Sequence, residues 1–357
     1  MKKSLLALAV LGAFAGAASA QSSVTVYGIV DLGVTSQDQG APAGRVNGVT
    51  SGNQSASRIG FKGVEDLGGG LKANFNLEST IAADVGTTGG TTGGGAFNRI
   101  ATVGLSGNFG AVNLGRQISP IKDAYDQIDP FGDGGTIAPI GQVFFDGLLS
   151  GDNGRISNSI KYSSNSYSGF KFGAAYGFGE AAGDTGANSN YGANIGYANG
   201  PLNVQFGYHN QDVSTIAAPA GSVDPVKVGE AEAVFLGATY NFGGFKLHGA
   251  FGEGKFKPVG AADDKVRNYL IGATFKVGPA GNIIASYSVN DVRTAGAVEE
   301  DSKRFGIMYA HDLSKRTNLY AGYSRTSNDD NARLGLTASA PSGESASMLA
   351  VGIRHKF

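Results

Sequence analysis

The chain has 357 residues and a formal net charge of -1, with 28 Lys and Arg against 29 Asp and Glu, and it contains no Cys. That balance argues against a general affinity for nucleic acid or for acidic surfaces, and a chain without Cys has no disulfide framework. Its 41% apolar residues are spread thinly among 58 glycines, a dispersion unlike the contiguous core of a soluble domain of this size.

The first element is a leader. Lys2 and Lys3 make a basic start, Leu5 to Ala17 an apolar run, and Ala18-Ser19-Ala20 a small-residue cleavage site. This pattern predicts a secretory signal peptide over residues 1–20. The remaining 337 residues (357 minus 20) show no composition break, so 21–357 is expected to be one domain. Beyond the leader, no apolar stretch is long enough for a transmembrane helix, which needs roughly 18 residues.

The rest of the chain reads as strands. Leu71, Ala73, Phe75 and Leu77 alternate with Lys72, Asn74, Asn76 and Glu78. Phe170, Phe172, Ala174, Tyr176 and Phe178 alternate with Lys171, Gly173, Ala175 and Gly177. The same period of two runs through 234–242, 269–277 and 349–357, each strand having one greasy and one small or polar face. Short turns are expected at 64–70, 107–110, 164–169, 199–201, 241–244, 278–281 and 312–315. Longer polar stretches lie near 36–56, 82–97, 118–154, 179–190, 211–230, 254–266, 291–300 and 327–346.

Long and short connections therefore alternate, giving about sixteen strands, each near the 9 to 11 residues of a tilted membrane strand. The fold predicted is all-β, a transmembrane antiparallel β-barrel. A closed barrel pairs every backbone N–H and C=O in lipid, as an open sheet cannot. Lipid then takes the apolar faces and the lumen takes the polar ones. Aromatics near strand ends, such as Tyr162, Tyr240 and Phe245, fit interfacial girdles.

Seven ordered segments carry a family likeness: SSVTVYGIVDLGV (22–34), SGNQSASRIGFKGVEDLGGGLKANFNLES (51–79), VGLSGNFGAVNLGRQ (103–117), NSIKYSS (158–164), YANGPLNVQFGY (197–208), LSKRTNLYAGYS (313–324) and VGIRHKF (351–357). They resemble the general diffusion porins of β-proteobacteria, the trimeric Burkholderia and Neisseria type. The terminal Phe357, after an alternating strand, resembles the signal for outer-membrane insertion. The resemblance implies a sixteen-stranded homotrimer in the outer membrane of a Gram-negative bacterium. It would pass small hydrophilic solutes and ions and contact lipid and lipopolysaccharide.

The resemblance also implies that the third long loop, Ile118 to Gly154, folds inward as a constriction loop and narrows the barrel to an eyelet. A connection of this length is uncommon unless it has a function. It carries Asp123, Asp126, Asp129, Asp133, Asp146 and Asp152. Opposite, the family's basic wall matches Arg58, Lys62, Arg116 and Arg155. Parity places Arg58 and Lys62 toward the lumen, and Lys161 on the face of Arg155. Arg116 shares the parity of Val112 and Leu114, so its inward placement needs a break near Gly115. Arg99 is open in the same way, and so is the sign of ion selectivity, because basic wall and acidic loop pull oppositely.

No enzymatic machinery is legible. His209, His248, His311 and His355 are scattered without metal-ligand spacing, and the Gly-rich stretch at 177–182 ends a strand rather than opening a helix, so it is no dinucleotide fingerprint. No cofactor, metal or nucleic-acid partner is expected. A substrate-specific channel for sugars or organic acids is the alternative function, and it would need an aromatic track in the lumen, for which Tyr27 and Phe235 are isolated candidates. A lipase-like barrel enzyme would need a Ser and His pair facing lipid, and a plugged structural barrel would conduct nothing.

Overall fold

The computed structural model describes residues 23–42, 44–89, 95–132, 134–145, 154–182, 184–215, 225–293, 300–336 and 340–357. The expected leader, Asp133, Asp146 and Asp152 lie outside them.

The chain folds as β1 (Ser23–Asp38), β2 (Arg45–Ser51), β3 (Arg58–Gly68), β4 (Leu71–Ala82), β5 (Thr87–Thr88), β6 (Ile100–Gly107) and β7 (Gly110–Ile118). A short helix α1 (Pro120–Asp126) begins the third loop. Then come β8 (Arg155–Ser163), β9 (Phe170–Gly177), β10 (Asn190–Asn199), β11 (Leu202–Thr215), β12 (Val226–Asn241) and β13 (Phe245–Pro258). The chain ends with β14 (Asp264–Val277), β15 (Gly281–Arg293), β16 (Ser302–Asp312), β17 (Thr317–Asn328) and β18 (Ala346–Lys356).

Each strand pairs antiparallel with its neighbours, and β1 closes the ring on β18, with Ile29 opposite Lys356 and Asp38 opposite Ser347. On its other edge β1 pairs with β2 above and β3 below. Those two are one wall strand interrupted at 52–57. The two-residue β5 hangs from β4 alone, so a circuit of the wall crosses sixteen strands, and the edge that would invite aggregation is abolished.

The greasy face is on the outside. Val24 is 67% exposed and Ile271 68%, and in β9 Phe170, Phe172 and Tyr176 are exposed while Gly173, Ala175 and Gly177 are buried. A water-soluble sheet would invert that pattern. Here the apolar residues face hydrocarbon and polar ones line the interior.

Two stretches read from sequence as loops begin and end as strand. β11 continues to Thr215 and β12 starts at Val226, within 211–230. β13 runs to Pro258 and β14 starts at Asp264, within 254–266. These strands have 14 to 16 residues, longer than a membrane crossing requires. Their outward positions change from apolar to charged along the strand, as at Glu232, Glu253 and Arg267, so the hydrophobic signal stops while the pairing continues.

Candidate functional site: the lumen and its third loop

The described part of the third loop enters the barrel. Ser119 caps α1, its Oγ accepting from the Lys122 N–H at 3.4 Å, and Pro120 occupies the first turn, where its missing N–H costs nothing. The helix lays Ile121, Ala124 and Tyr125 against β11 and β12. Gly207 permits that approach, since a Cβ there would stand 2.9 Å from the Ile121 Cα. Beyond the helix, Ile128, Phe144 and Phe145 pack on Phe235, which is fully buried beneath the loop. A second cluster sets Phe131, Ile137 and Ala138 on Met308, Tyr320 and Met348.

Polar contacts fix the loop's register on the wall. The Phe145 N–H donates to Asn268 Oδ1 at 3.1 Å, and Asn268 Nδ2 donates to the Val143 carbonyl at 3.1 Å. Arg304, only 1% exposed, donates to Thr326 Oγ1 at 2.8 Å, to Gln142 Oε1 at 2.7 Å and to the carbonyl of Gly335. One wall cation thus ties the third loop to the loop between β17 and β18.

The middle of the loop docks on the interruption between β2 and β3. Thr136 and Ile137 donate their N–H groups to the Asn53 carbonyl at 2.9 and 3.1 Å. That segment is held by Asp31, a fully buried carboxylate. Its Oδ2 accepts from the N–H groups of Gln54 and Ser55 at 2.7 and 2.6 Å, and its Oδ1 from the Tyr320 hydroxyl at 2.5 Å. Arg354 donates to Ser55 Oγ and Asn318 Oδ1 at 2.8 and 2.9 Å. The described part of the loop is a strap held by α1, at 136–137 and at 143–145.

β3 carries Arg58 and Lys62 on its inner face, the face of Gly60, which stands opposite Tyr27 and Glu78. Lys62 Nζ lies 4.9 Å from the Tyr27 ring centroid, and the Tyr27 hydroxyl donates toward Asn76 Oδ1 at 2.8 Å and Glu78 Oε2 at 3.0 Å. Arg99 Nε pairs with Glu78 at 2.6 Å, which brings it to this wall.

The described carboxylates of the loop are engaged. Asp123 pairs with Lys161, a lumen-facing residue of β8. Asp126 pairs with Lys122 one turn earlier at 2.8 Å. Asp129 turns into the loop itself, accepting from the Phe131 and Ile140 N–H groups at 3.0 Å each. Burial pushes its carboxyl up to about 6, against the lowering effect of those bonds.

Two arginines need separate placement. Arg155 lines a small cavity with Ser119, Asn190, His209 and Gln211, and its charge acts on Lys122 and Tyr125 of α1. Arg116 does not turn inward. It stands opposite Ala101, on the face of Leu114, with Nε on the Asn98 carbonyl at 2.6 Å and Nη1 on Ser157 Oγ at 2.7 Å. An irregularity does occur there, but the extra residue belongs to β8, where Gly115 opposes Ser159 and Gln117 opposes Ile156, and Asn158 has φ 50. β7 therefore keeps its parity.

Asp31, Tyr320, Arg304 and Arg354 escaped sequence reasoning. Their parity marks them as inward-facing, but nothing local marks them as partners.

A family model described as Gram-negative porin matches residues 7–331. The chain is 38% identical to Outer membrane porin protein 32 of Delftia acidovorans, with 100% of each covered. It superposes on the anion-selective porin from Comamonas acidovorans with a TM-score of 0.82 at 34% identity, covering 94% of this chain and 100% of that one. OmpT of Vibrio cholerae, in trimer form, shares the fold with a TM-score of 0.71 at 17% identity. The chain belongs to the Gram-negative porin family. It is an outer-membrane β-barrel that works as a passive diffusion channel for small hydrophilic solutes and ions.

Proposed function

We propose that the third loop, 118–154, forms the eyelet of this channel and that the eyelet favours anions. The observation carrying this reading is the unequal fate of the charges. Asp123 and Asp126 are engaged by lysines and Asp129 by backbone N–H groups. Among the described residues, the wall at β3 gathers Arg58, Lys62 and Arg99 about Glu78. A ring of net positive charge at a constriction sets ion preference, and at about 0.15 M salt screening confines the effect to roughly 8 Å. The similar Comamonas acidovorans porin is itself anion-selective.

Transport needs no chemistry from the chain: solutes diffuse, size filters them at the strap, and charge biases them at the wall. Residues 1–20 serve as a signal peptide, 21–357 form one barrel domain, and Phe357 closes the strand that directs insertion. Among the described residues, outward-facing tyrosines occur only on β8 to β17, whereas β1 to β7 expose Val24, Val103 and Leu114 around shallow apolar hollows. Interfacial Tyr marks contact with lipid headgroups, so the tyrosine-free sector is assigned to contact between copies in a homotrimer.

Liposome swelling with uncharged sugars and with organic anions of matched size tests the reading. A general channel gives rates graded by size, with anions ahead of neutral solutes. Saturation by one sugar, with others of its size excluded, would favour the substrate-specific alternative.

A further inference from the structure

The short-turn end of the lumen carries a second set of charges, away from the third loop. Lys72, Lys171, Lys246, Lys276 and Lys356 each occupy the last or last-but-one position at the turn-side end of a strand. Successive residues of a strand point to opposite faces, and the neighbours of these lysines fix theirs. Lys171 lies between Phe170 and Phe172, Lys246 between Phe245 and Leu247, and Lys276 between Phe275 and Val277, all of them exposed on the outer wall. Lys72 shares the inner face of Asn76 and Glu78, and Lys356 that of Arg354. Lys246 shares its face with His248, whose ring Nδ1 donates to the Ile128 carbonyl of the third loop at 2.7 Å. All five lysines therefore face the lumen, on the turn side of the strap.

Their spacing makes a ring. In the circuit of the wall, counted from β1 with β2 and β3 as one, they stand on the third, seventh, eleventh, twelfth and sixteenth strands. Among the described residues, the carboxylates facing inward near these ends are Asp66 and Asp312. Five lysines against two carboxylates leave the mouth with a net charge of +3 (5 minus 2). None of Lys72, Lys171, Lys246 and Lys276 is held in an ion pair among the described residues.

Screening decides when such a ring can act. Neighbouring strands stand about 4.8 Å apart, so lysines four strands apart are separated by about 19 Å. At about 0.15 M salt the screening length is near 8 Å and each charge acts alone. At about 0.01 M it is near 30 Å, and the fields merge across the opening. We propose that these five lysines form a second charge filter at the periplasmic mouth, one that concentrates small anions there when the solution on that side is dilute. The filter presupposes the anion-favouring channel proposed above and short turns that face the periplasm.

The test uses the full-length protein in planar bilayers, with KCl as the probe, at about 0.01 M against about 0.1 M. The reversal potential of each channel is read with the gradient in one direction and then in the other. In the wild type the anion preference should be larger in one direction, when the turn side is dilute. The K72Q/K171Q/K246Q/K276Q variant should lower the larger value to meet the smaller one, whereas K72R/K171R/K246R/K276R, which keeps the charge, should retain the inequality. Equal values in the wild type, an inequality that survives in the glutamine variant, or its loss in the arginine variant would each overturn the proposal. The sign of the wild-type potential reports the eyelet, and a cation-side sign would refute that reading while the difference between directions still reports the ring.

Discussion

The Tyr320 hydroxyl donates to the Asp31 carboxylate at 2.5 Å across a sequence separation of 289 residues. One residue comes from the first strand and the other from the strand before the last, so the bond exists only once the barrel has closed. The same carboxylate fixes the 52–57 segment on which the third loop lands, so closure of the wall and placement of the strap are a single event.

Removing that hydroxyl tests the coupling. Tyr320→Phe leaves a buried carboxylate short of one donor, at a cost of about 1–3 kcal/mol. The thermal midpoint of the detergent-solubilised protein is expected to fall, and single-channel current to become noisier as the landing segment loosens. Unchanged noise with a lowered midpoint would mean that the bond serves the wall alone.

Arg304 makes an independent prediction at the other side of the strap. Arg304→Met keeps much of the volume but removes its donations to Thr326, Gln142 and Gly335. Bonds from charged groups contribute about 1.5–3 kcal/mol each, so protease nicking within the two loops should accelerate while the barrel strands stay protected.

The pH dependence of the loop has a defined sign. The Asp129 carboxyl lies at about 6, above its ordinary 3.8. The docked state therefore prefers the protonated acid. Its contribution is complete below about 4 and is lost as the pH rises through about 6. Current noise from the loop is expected to be lower at about pH 5 than at about pH 7.5, and Asp129→Asn should flatten that difference. A loop that quietens with rising pH would contradict the assignment.

The two sectors of the outer wall should respond differently to charge. Val103→Arg, in the tyrosine-free sector, is expected to shift the protein from trimer to monomer on seminative gels. Ile271→Arg, on a lipid-facing strand, should leave assembled protein trimeric but impair folding into bilayers by about 2–4 kcal/mol at mid-depth. Monomerisation by Ile271→Arg and not by Val103→Arg would move the contact to the other side.

Much of the barrel is legible in the sequence because membrane strands obey a simple rule. Leu71 to Glu78 alternate so strictly that strand, face and orientation follow from composition alone. The rule weakens where lipid ends: Lys255 and Lys265 sit on strands, yet read as loop because nothing greasy marks the outward face. It is blind to irregularities, so the extra residue at Asn158 could not be told from one near Gly115, and Arg116 stays outside. It is blind also to pairing at a distance, as between Asp31 and Tyr320. For Asp129 the residue type signals a carboxylate in the loop, but only the fold shows that it turns inward to backbone N–H groups.

The reversal potential of single channels in a salt gradient tests the central claim most directly, because it reads the net charge of the narrowest passage. The wild type should reverse toward the anion potential, and the double substitution of Arg58→Glu and Lys62→Glu should carry it toward the cation potential with conductance retained. A cation-side reversal in the wild type, or no shift in the variant, would place the governing charges elsewhere than the β3 wall and leave the assignment of the eyelet wrong.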